Sequence, residues 1–266
     1  MAETKLKILV TGASGAVGFA VARALRQRGH QVRGFDREPA RVEGAHTTAD
    51  LRDFESLSQA VSGVDLVVHC AAVPDRQDFP TELVPTNIVG THLVFEAARL
   101  AKVSRVIYAS SIRVVGGLDW GSGTIGVGAG LVPGDHYGVS KATGELLARM
   151  YAERFGLSVL SARLGWFVRN LGEAELFETV RYARRIYLSH RDAEAFFVRA
   201  AEASWSGYSA VFVTSRNDGD SGFDLEPVRN LLDFEPADTW PSGSTWSDDM
   251  RFESPTFGPS VRPSGR

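Results

Sequence analysis

The chain has a single cysteine, Cys70, among 266 residues. An intramolecular disulfide framework is excluded, and a reducing compartment, the cytoplasm, is the expected location. Long apolar runs are also missing, since none approaches the roughly 20 residues needed to span a bilayer. The opening Met-Ala-Glu-Thr-Lys leads at once into a strand pattern, with no signal-type stretch before it. No membrane association is therefore expected. Basic charge is not in excess: 29 Lys and Arg face 32 Asp and Glu, a formal net charge of −3. That balance argues against a nucleic-acid partner, which needs a concentrated basic surface. The histidines are scattered and join no cysteine cluster, so no metal site is expected. No repeat recurs at a solenoid period. What is present is a globular composition, with enough apolar residues for one large core.

The pattern along the chain alternates strands and helices. Residues 6–11, LKILVT, read as a buried parallel strand, followed by glycines at 12, 15 and 18 and a helix over 16–28 that ends near Gly29. Residues 31–36 read as the next strand, completing a βαβ unit. Further strands are expected at 65–69, 104–109 and 157–163, with helices over about 82–102 and 135–155. This order predicts an α/β fold: a doubly wound parallel sheet of Rossmann type with a small C-terminal substrate-binding part. Residues 1–165 are expected to bind the cofactor and carry the catalytic groups. Residues 166–253 are expected to form the substrate part, interleaved with the same core, and 254–266 a flexible tail. Seven glycines lie between Gly116 and Gly130. That stretch is either a disordered insertion or a flap over the substrate.

The glycine turn has the chemistry of a dinucleotide site. Gly12 permits the tight turn, Gly15 lets a pyrophosphate approach the main chain, and Gly18 lets the helix pack close. The helix start supplies free N–H groups through Ser14, Ala16 and Val17 and a positive dipole end. Asp36 closes the second strand, where a carboxylate accepts both adenosine ribose hydroxyls and repels a 2′-phosphate, favouring NAD. Arg37 beside it is either a surface residue or a phosphate partner. Asp50, followed by Leu51, either reaches the adenine or caps a helix.

Tyr137 and Lys141 are four apart on one predicted helix, so both side chains share a face. A free tyrosine is a poor base at neutral pH. A neighbouring ammonium and a positive nicotinamide ring would lower its pKa and let it take a hydroxyl proton. Ser111 follows a strand whose carboxyl end is where such sheets bind ligands. Ser111 is the expected catalytic serine, and Ser110 is expected to bond local backbone.

Together TGASGAVG, Asp36, Asp50-Leu51, HCAA at 69–72, NIVGTHLVFEAA, YASS at 108–111 and YGVSK at 137–141 resemble the extended, epimerase-like branch of the short-chain dehydrogenase/reductase superfamily. The resemblance implies that Ala71 and Ala72 line NAD, that Asn87 lies near the nicotinamide ribose, and that Lys141 binds that ribose. The layout after Lys141 is most similar to uronate dehydrogenases and archaeal NAD-dependent glucose-6-phosphate dehydrogenases. It implies oxidation of a sugar, sugar acid or sugar phosphate at C1 to a lactone. A homo-oligomer acting on a small molecule is expected. The rivals are a sugar epimerase or dehydratase, an enzyme acting on a hydrophobic alcohol, and a nucleotide-sensing regulator.

The chain departs from those sugar dehydrogenases at the substrate side. They carry Asn-His after the serine, where this chain has Ile112 and Arg113, and a small polar residue where Trp166 stands. Arg113 is either an anchor for an anionic substrate or the partner of a nearby acid. Arg181, Arg184 and Arg185 at near-helical spacing offer a second candidate anchor, Arg181 foremost. His69 is expected at a buried strand end, and His190 at a helix start.

Overall fold

The first apolar run becomes β1 (Lys7–Thr11), followed by α1 (Ala16–Gln27) and β2 (Gln31–Asp36). A computed structural model of the chain describes residues 5–41, 43–75, 77–121, 123–180, 182–216 and 222–244; Arg181 and the expected tail at 254–266 lie outside them. After β3 (His46–Thr48) and α2 (Phe54–Val61) the chain crosses back to β4 (Leu66–His69) on the other side of β1. α3 (Thr91–Leu100), β5 (Arg105–Ser111), α4 (His136–Phe155) and β6 (Ser158–Leu164) continue the winding outwards.

The main sheet has seven strands in the order β3-β2-β1-β4-β5-β6 and then β9 (Tyr208–Val213), every neighbouring pair parallel. The doubly wound, Rossmann-type reading holds. The winding direction reverses between β1 and β4, which places a crevice beyond their carboxyl ends. There Thr11 lies beside His69 in register. A parallel sheet covered on both faces needs strands that are apolar throughout. Accordingly Ile8, Leu9 and Val10 of β1 and Leu66, Val67 and Val68 of β4 are all fully buried.

One helical layer packs α1 against α7 (His190–Glu202), with Ala20, Val21 and Leu25 meeting the core that holds Phe196, Phe197 and Ala200. The other layer holds Leu57 and Val61 of α2, Val94 and Phe95 of α3, and Ala148 and Tyr151 of α4. Each such side chain contributes about 1.5–3 kcal/mol by leaving water. A two-stranded parallel ribbon, β7 (Trp166–Phe167) with β8 (Tyr187–Leu188), stands apart from the main sheet. Between its strands lie α5 (Leu171–Thr179) and α6 (Ala183–Ile186), and α8 (Glu226–Leu232) follows β9.

Two elements have boundaries that differ from expectation by two residues or more, and the glycine-rich stretch is ordered by contacts. The helix expected from 82 begins earlier, as a π-helical stretch Phe79–Gly90 capped by Asp78, which accepts from Thr81 N at 3.0 Å. Pro85 lies inside it and withholds one N–H from the ladder. β5 runs on to Ser111, so the serine is its last residue. The glycine-rich stretch is pinned. Gly117 N donates to Val132 O at 2.7 Å, Ile125 bridges to Phe223, and Trp120 Nε1 donates to Val115 O at 3.1 Å. Leu118, Trp120, Val127 and Leu131 of this stretch pack on a core formed by Ile112, Val115, Phe212 and Phe223.

Candidate active site

Gly12 turns the chain at the end of β1 with φ +70°, and its N–H donates to Phe35 O at 2.8 Å. A Cβ there would lie 2.6 Å from Ala71 N, and one at Gly18 2.0 Å from Gly12 O. Both positions are closed to a side chain by main chain. Gly15 differs: a Cβ would find only Gly12 O, at 3.3 Å, and the residue is exposed. The start of α1 has no side-chain cap, and Ala16 and Val17 in its first turn are half-buried. An open cradle with uncapped N–H groups fits a pyrophosphate. Asp36 at the end of β2 accepts from Ser14 N at 2.9 Å and Glu38 N at 3.0 Å, which fixes its carboxylate at the rim of the cradle. Ser14 Oγ donates to Pro39 O at 2.7 Å. Arg37 is exposed, 3.8 Å from Glu38.

Other expected cofactor residues have additional or different work. Asp50 is held by Arg52 through three hydrogen bonds of 2.8–2.9 Å, and this pairing brings its pKa down to about 2. The cap of α2 is Asp53, which accepts from Ser56 N. Leu51 is buried in the core beside α2 and α3. Ala71 and Ala72 follow β4 and are half-buried, with Ala71 N directed to Thr11 Oγ1 at 3.4 Å. Asn87 is buried, and its amide is taken by Val73 N, Val73 O and Ser140 Oγ at 2.8–3.1 Å. It ties the loop after β4 to α4, so its first role is to hold these elements together. His69 bridges Thr11 Oγ1 at 2.7 Å and Thr91 Oγ1 at 3.0 Å. Burial, assisted by the Lys141 charge, lowers its pKa to about 3, so it is neutral.

The catalytic candidates meet where α4 starts against the end of β5. Ser111 Oγ accepts from Arg113 N at 3.2 Å and caps the 3₁₀ turn Ile112–Val115. Asp135 caps α4, accepting from Gly138 N at 2.7 Å. A Cβ on Gly138 would lie 2.4 Å from Arg113 O, so the helix start and the 3₁₀ turn are in direct contact. Lys141 is buried, its Nζ donating to Ala109 O at 2.8 Å and standing 5.8 Å from the Tyr137 ring centre. Desolvation lowers its pKa to about 8. Tyr137 departs from expectation. Burial raises its pKa well above 10 and Asp75 pushes the same way; Arg169 and Arg113 oppose them, and Asp135 adds to the rise. The cations that moderate this phenol are thus the two arginines rather than Lys141.

A second helical turn on, Glu145 is 2% exposed and accepts from Ser110 Oγ at 2.6 Å and from Arg163 Nε and Nη2 at 3.0 and 2.9 Å. Ser110 therefore bonds a carboxylate rather than local backbone. Lys141 and Glu145 attach α4 to consecutive residues of β5, immediately before Ser111. Sequence reading missed Glu145 because its partners are far away in the chain.

On the substrate side, Ile112 is buried in the core instead of facing a ligand. Arg113 is ion-paired with Asp135, the second of the two readings left open for it. Trp166 is half-buried, with its ring 5.2 Å from Phe177. Arg184 is exposed near Glu178, and Arg185 donates to Trp120 O at 3.0 Å. The residue not foreseen is Arg169, which follows β7. Buried Glu173 accepts from Arg169 N at 2.8 Å and Nε at 2.7 Å, while Asn170 caps α5 by accepting from Glu173 N at 2.9 Å. The Asn170-x-x-Glu173 spacing is the sequence signal of such a helix start, with an arginine directly before it. Among the described residues no cluster of His, Cys, Asp or Glu could hold a metal ion, and no helix is long and apolar enough to cross a membrane.

Comparisons with known proteins agree with this geometry. The NAD dependent epimerase/dehydratase family matches residues 8–171. L-arabinose 1-dehydrogenase (NAD(P)(+)) of Haloferax volcanii is 34% identical over 251 residues, covering 87% of this chain and 96% of that protein. Uronate dehydrogenase of Pseudomonas syringae pv. tomato is 32% identical over 215 residues, covering 79% and 75%. A mutant uronate dehydrogenase from Agrobacterium tumefaciens, crystallised in complex with NAD, superposes with TM-score 0.76 at 27% identity, covering 88% of this chain and 86% of that one. A doubly wound sheet with a glycine cradle at its switch point and a helix carrying Tyr137 and Lys141 fastened to the end of β5 makes the same statement as these likenesses: the chain belongs to the NAD dependent epimerase/dehydratase family and is an NAD-dependent oxidoreductase.

Proposed function

We propose that the chain is a dehydrogenase that oxidises a sugar, sugar acid or sugar phosphate at C1 to the lactone. The observation that supports this reading is the attachment of α4 to the end of β5: Lys141 Nζ reaches Ala109 O and Glu145 holds Ser110, so the helix that carries Tyr137 is fastened to the strand that ends at Ser111. Gly12, Ser14, Gly15, Ala16, Val17 and Gly18 would hold the pyrophosphate, Asp36 the adenosine ribose, and Ala71 and Ala72 the inner wall. NAD, when bound there, supplies the hydride acceptor. Ser111 holds the oxygen of the reacting C1 hydroxyl, and Tyr137 takes its proton. Lys141 orients the nearby ribose, while the charges of Arg169 and Arg113 favour phenolate. Residues 166–253 form the substrate part, sharing the sheet through β9.

The test is NADH absorbance from purified protein given NAD and a panel of aldoses, uronic acids and sugar phosphates. Lactone and free NADH in equal amounts are expected. Tightly held NAD that dialysis leaves in place, with no NADH from any sugar, would instead indicate an epimerase, which returns the hydride to its own substrate.

The working form is a homo-oligomer in the cytoplasm. Val139, Leu146 and Met150 form an exposed stripe on α4, and Leu100 is exposed at the end of neighbouring α3. A second copy presenting the same face about a twofold axis would cover them. Light scattering of Leu146→Glu against the unaltered chain tests this, with a shift to monomer expected.

A further inference from the structure

The two arginines whose charges act on the Tyr137 phenol are each paired with an acid. Arg113 is bound to Asp135, which also caps α4. Arg169, whose side chain is 24% exposed, is bound to fully buried Glu173. Asp75, on the loop after β4, adds a further carboxylate whose field reaches the phenol. Among the described residues, three carboxylates thus stand against two guanidiniums and the Lys141 ammonium 5.8 Å from the ring centre, and both guanidiniums are already held by acids.

From this we infer that the substrate is an uncharged aldose rather than a sugar acid or a sugar phosphate. The inference rests on the dehydrogenase reading and narrows it. An anionic group could use Arg169 only by displacing Glu173, which would leave a carboxylate buried without its cation. At Arg113 it would compete with Asp135, and near either arginine it would meet the field of Asp75. A neutral polyol meets none of these costs. Its hydroxyls donate to carboxylate oxygens and accept from guanidinium N–H groups, of which each arginine has five. Arg113 Nε is buried and has no hydrogen-bond partner among the described residues. Both arginines then act as fixed hydrogen-bond donors, held in orientation by their acids.

Two matched pairs of sugars read this directly: D-galactose against D-galacturonate, and D-glucose against D-glucose 6-phosphate. Each pair differs chiefly at C6. We expect kcat/KM to favour the neutral member by about tenfold or more, the scale of one hydrogen bond to a charged group. Equal or better turnover of either anion would overturn the inference. Glu173→Gln removes the acid that neutralises Arg169, and Asp135→Asn does the same for Arg113 while keeping an oxygen for the cap. Either change should shift the galacturonate-to-galactose ratio about tenfold towards the anion, and adding Arg169→Met to Glu173→Gln should reverse the gain. An unchanged ratio in folded forms of both single variants would also overturn it.

A second arm reads binding without turnover. Calorimetric titration of each pair into NAD-loaded Tyr137→Phe should give the tighter Kd for the neutral sugar. Tighter anion binding, or binding of neither sugar, overturns the inference. Absence of NADH from all four sugars with the unaltered enzyme would instead count against the dehydrogenase reading, and the calorimetric arm would still judge the charge argument.

Discussion

The crevice has two sides, and they use their polar groups differently. On the side built from residues 7–111, the inner contacts run from main chain to main chain or through buried neutral groups, with the charged Asp36 and the Asp50–Arg52 pair at the rim. Gly12 abuts Ala71, Asn87 clasps Val73, and His69 sits uncharged between two threonines. On the side built from residues 112–244, the work is done by ion pairs and aromatic rings. Arg113 meets Asp135, Arg169 meets Glu173, and Trp240 stacks on Phe177 at 4.2 Å. A dinucleotide presents the same backbone whatever the reaction, so a fixed main-chain cradle suits it. A substrate differs from enzyme to enzyme, and side-chain pairs can be exchanged without disturbing the sheet. α4 lies between the two sides and carries Tyr137, Lys141 and Glu145 on successive turns.

The severest way to break this picture is Tyr137→Phe. The ring remains and only the hydroxyl is lost, so kcat should fall by about 10²–10⁴-fold or more, with the Kd for NAD little changed. Near-normal kcat would remove Tyr137 from the chemistry. Next in size is Glu145→Ala. Arg163, with a side chain 4% exposed, would be left buried without its carboxylate, and breaking such a pair costs about 3–5 kcal/mol. Urea unfolding reads that loss. Glu145→Gln keeps an acceptor for Ser110 and should lose less.

This difference between the sides also governs what the sequence makes legible. β1 and β4 are found to within a residue because a strand buried on both faces reads as an apolar run, and β2, QVRGFD, is found at its observed bounds as the closing strand of the βαβ unit. Tyr137 and Lys141 are legible because helical spacing alone puts them on one face. Glu145 continues that series, but its meaning depends on Ser110 and Arg163, and no local rule joins those three. Arg113 could be placed at the end of β5, while the choice of partner needed Asp135, which a long loop returns to it. The π-helical stretch is hidden for another reason: Pro80 and Pro85 read as breakers, yet Pro80 falls in the first turn after the Asp78 cap and Pro85 lies inside the stretch.

Lys141 sharpens the comparison through pH. Its pKa in the folded chain is about 8, against an ordinary 10.5, because burial disfavours the ammonium. The folded state therefore releases this proton first. Between pH 8 and 10.5 the unfolded chain binds more protons, and stability rises with pH. Below pH 8 the penalty for burying the charge is present in full. Relative to Lys141→Met, the unaltered chain should gain on the order of 2 kcal/mol between pH 8 and pH 10. Denaturant midpoints of both proteins at pH 8 and pH 10 measure it. A parallel response of the two would mean that Lys141 is solvated and that α4 does not seal the crevice.

The smallest expected effect concerns Asp36, where the neutral cradle carries its one acid. Its carboxylate is already oriented by Ser14 N and Glu38 N, so it cannot swing aside for a 2′-phosphate. Repulsion should therefore make NAD the tighter ligand. Asp36→Asn keeps the shape and removes the charge, and the ratio of the NADP Kd to the NAD Kd should fall about tenfold, roughly 1.4 kcal/mol. Arg37 then becomes decisive. It is exposed, with Glu38 at 3.8 Å its nearest carboxylate among the described residues, and its planar fork suits a phosphate. Adding Arg37→Ala to Asp36→Asn should cancel most of the gain for NADP. If the double variant binds NADP as well as the single one, the gain came only from lost repulsion and Arg37 is a bystander. If the unaltered chain already binds both cofactors equally, Arg37 offsets Asp36 from the start, and the cofactor side uses an opposed pair of charges as the substrate side does.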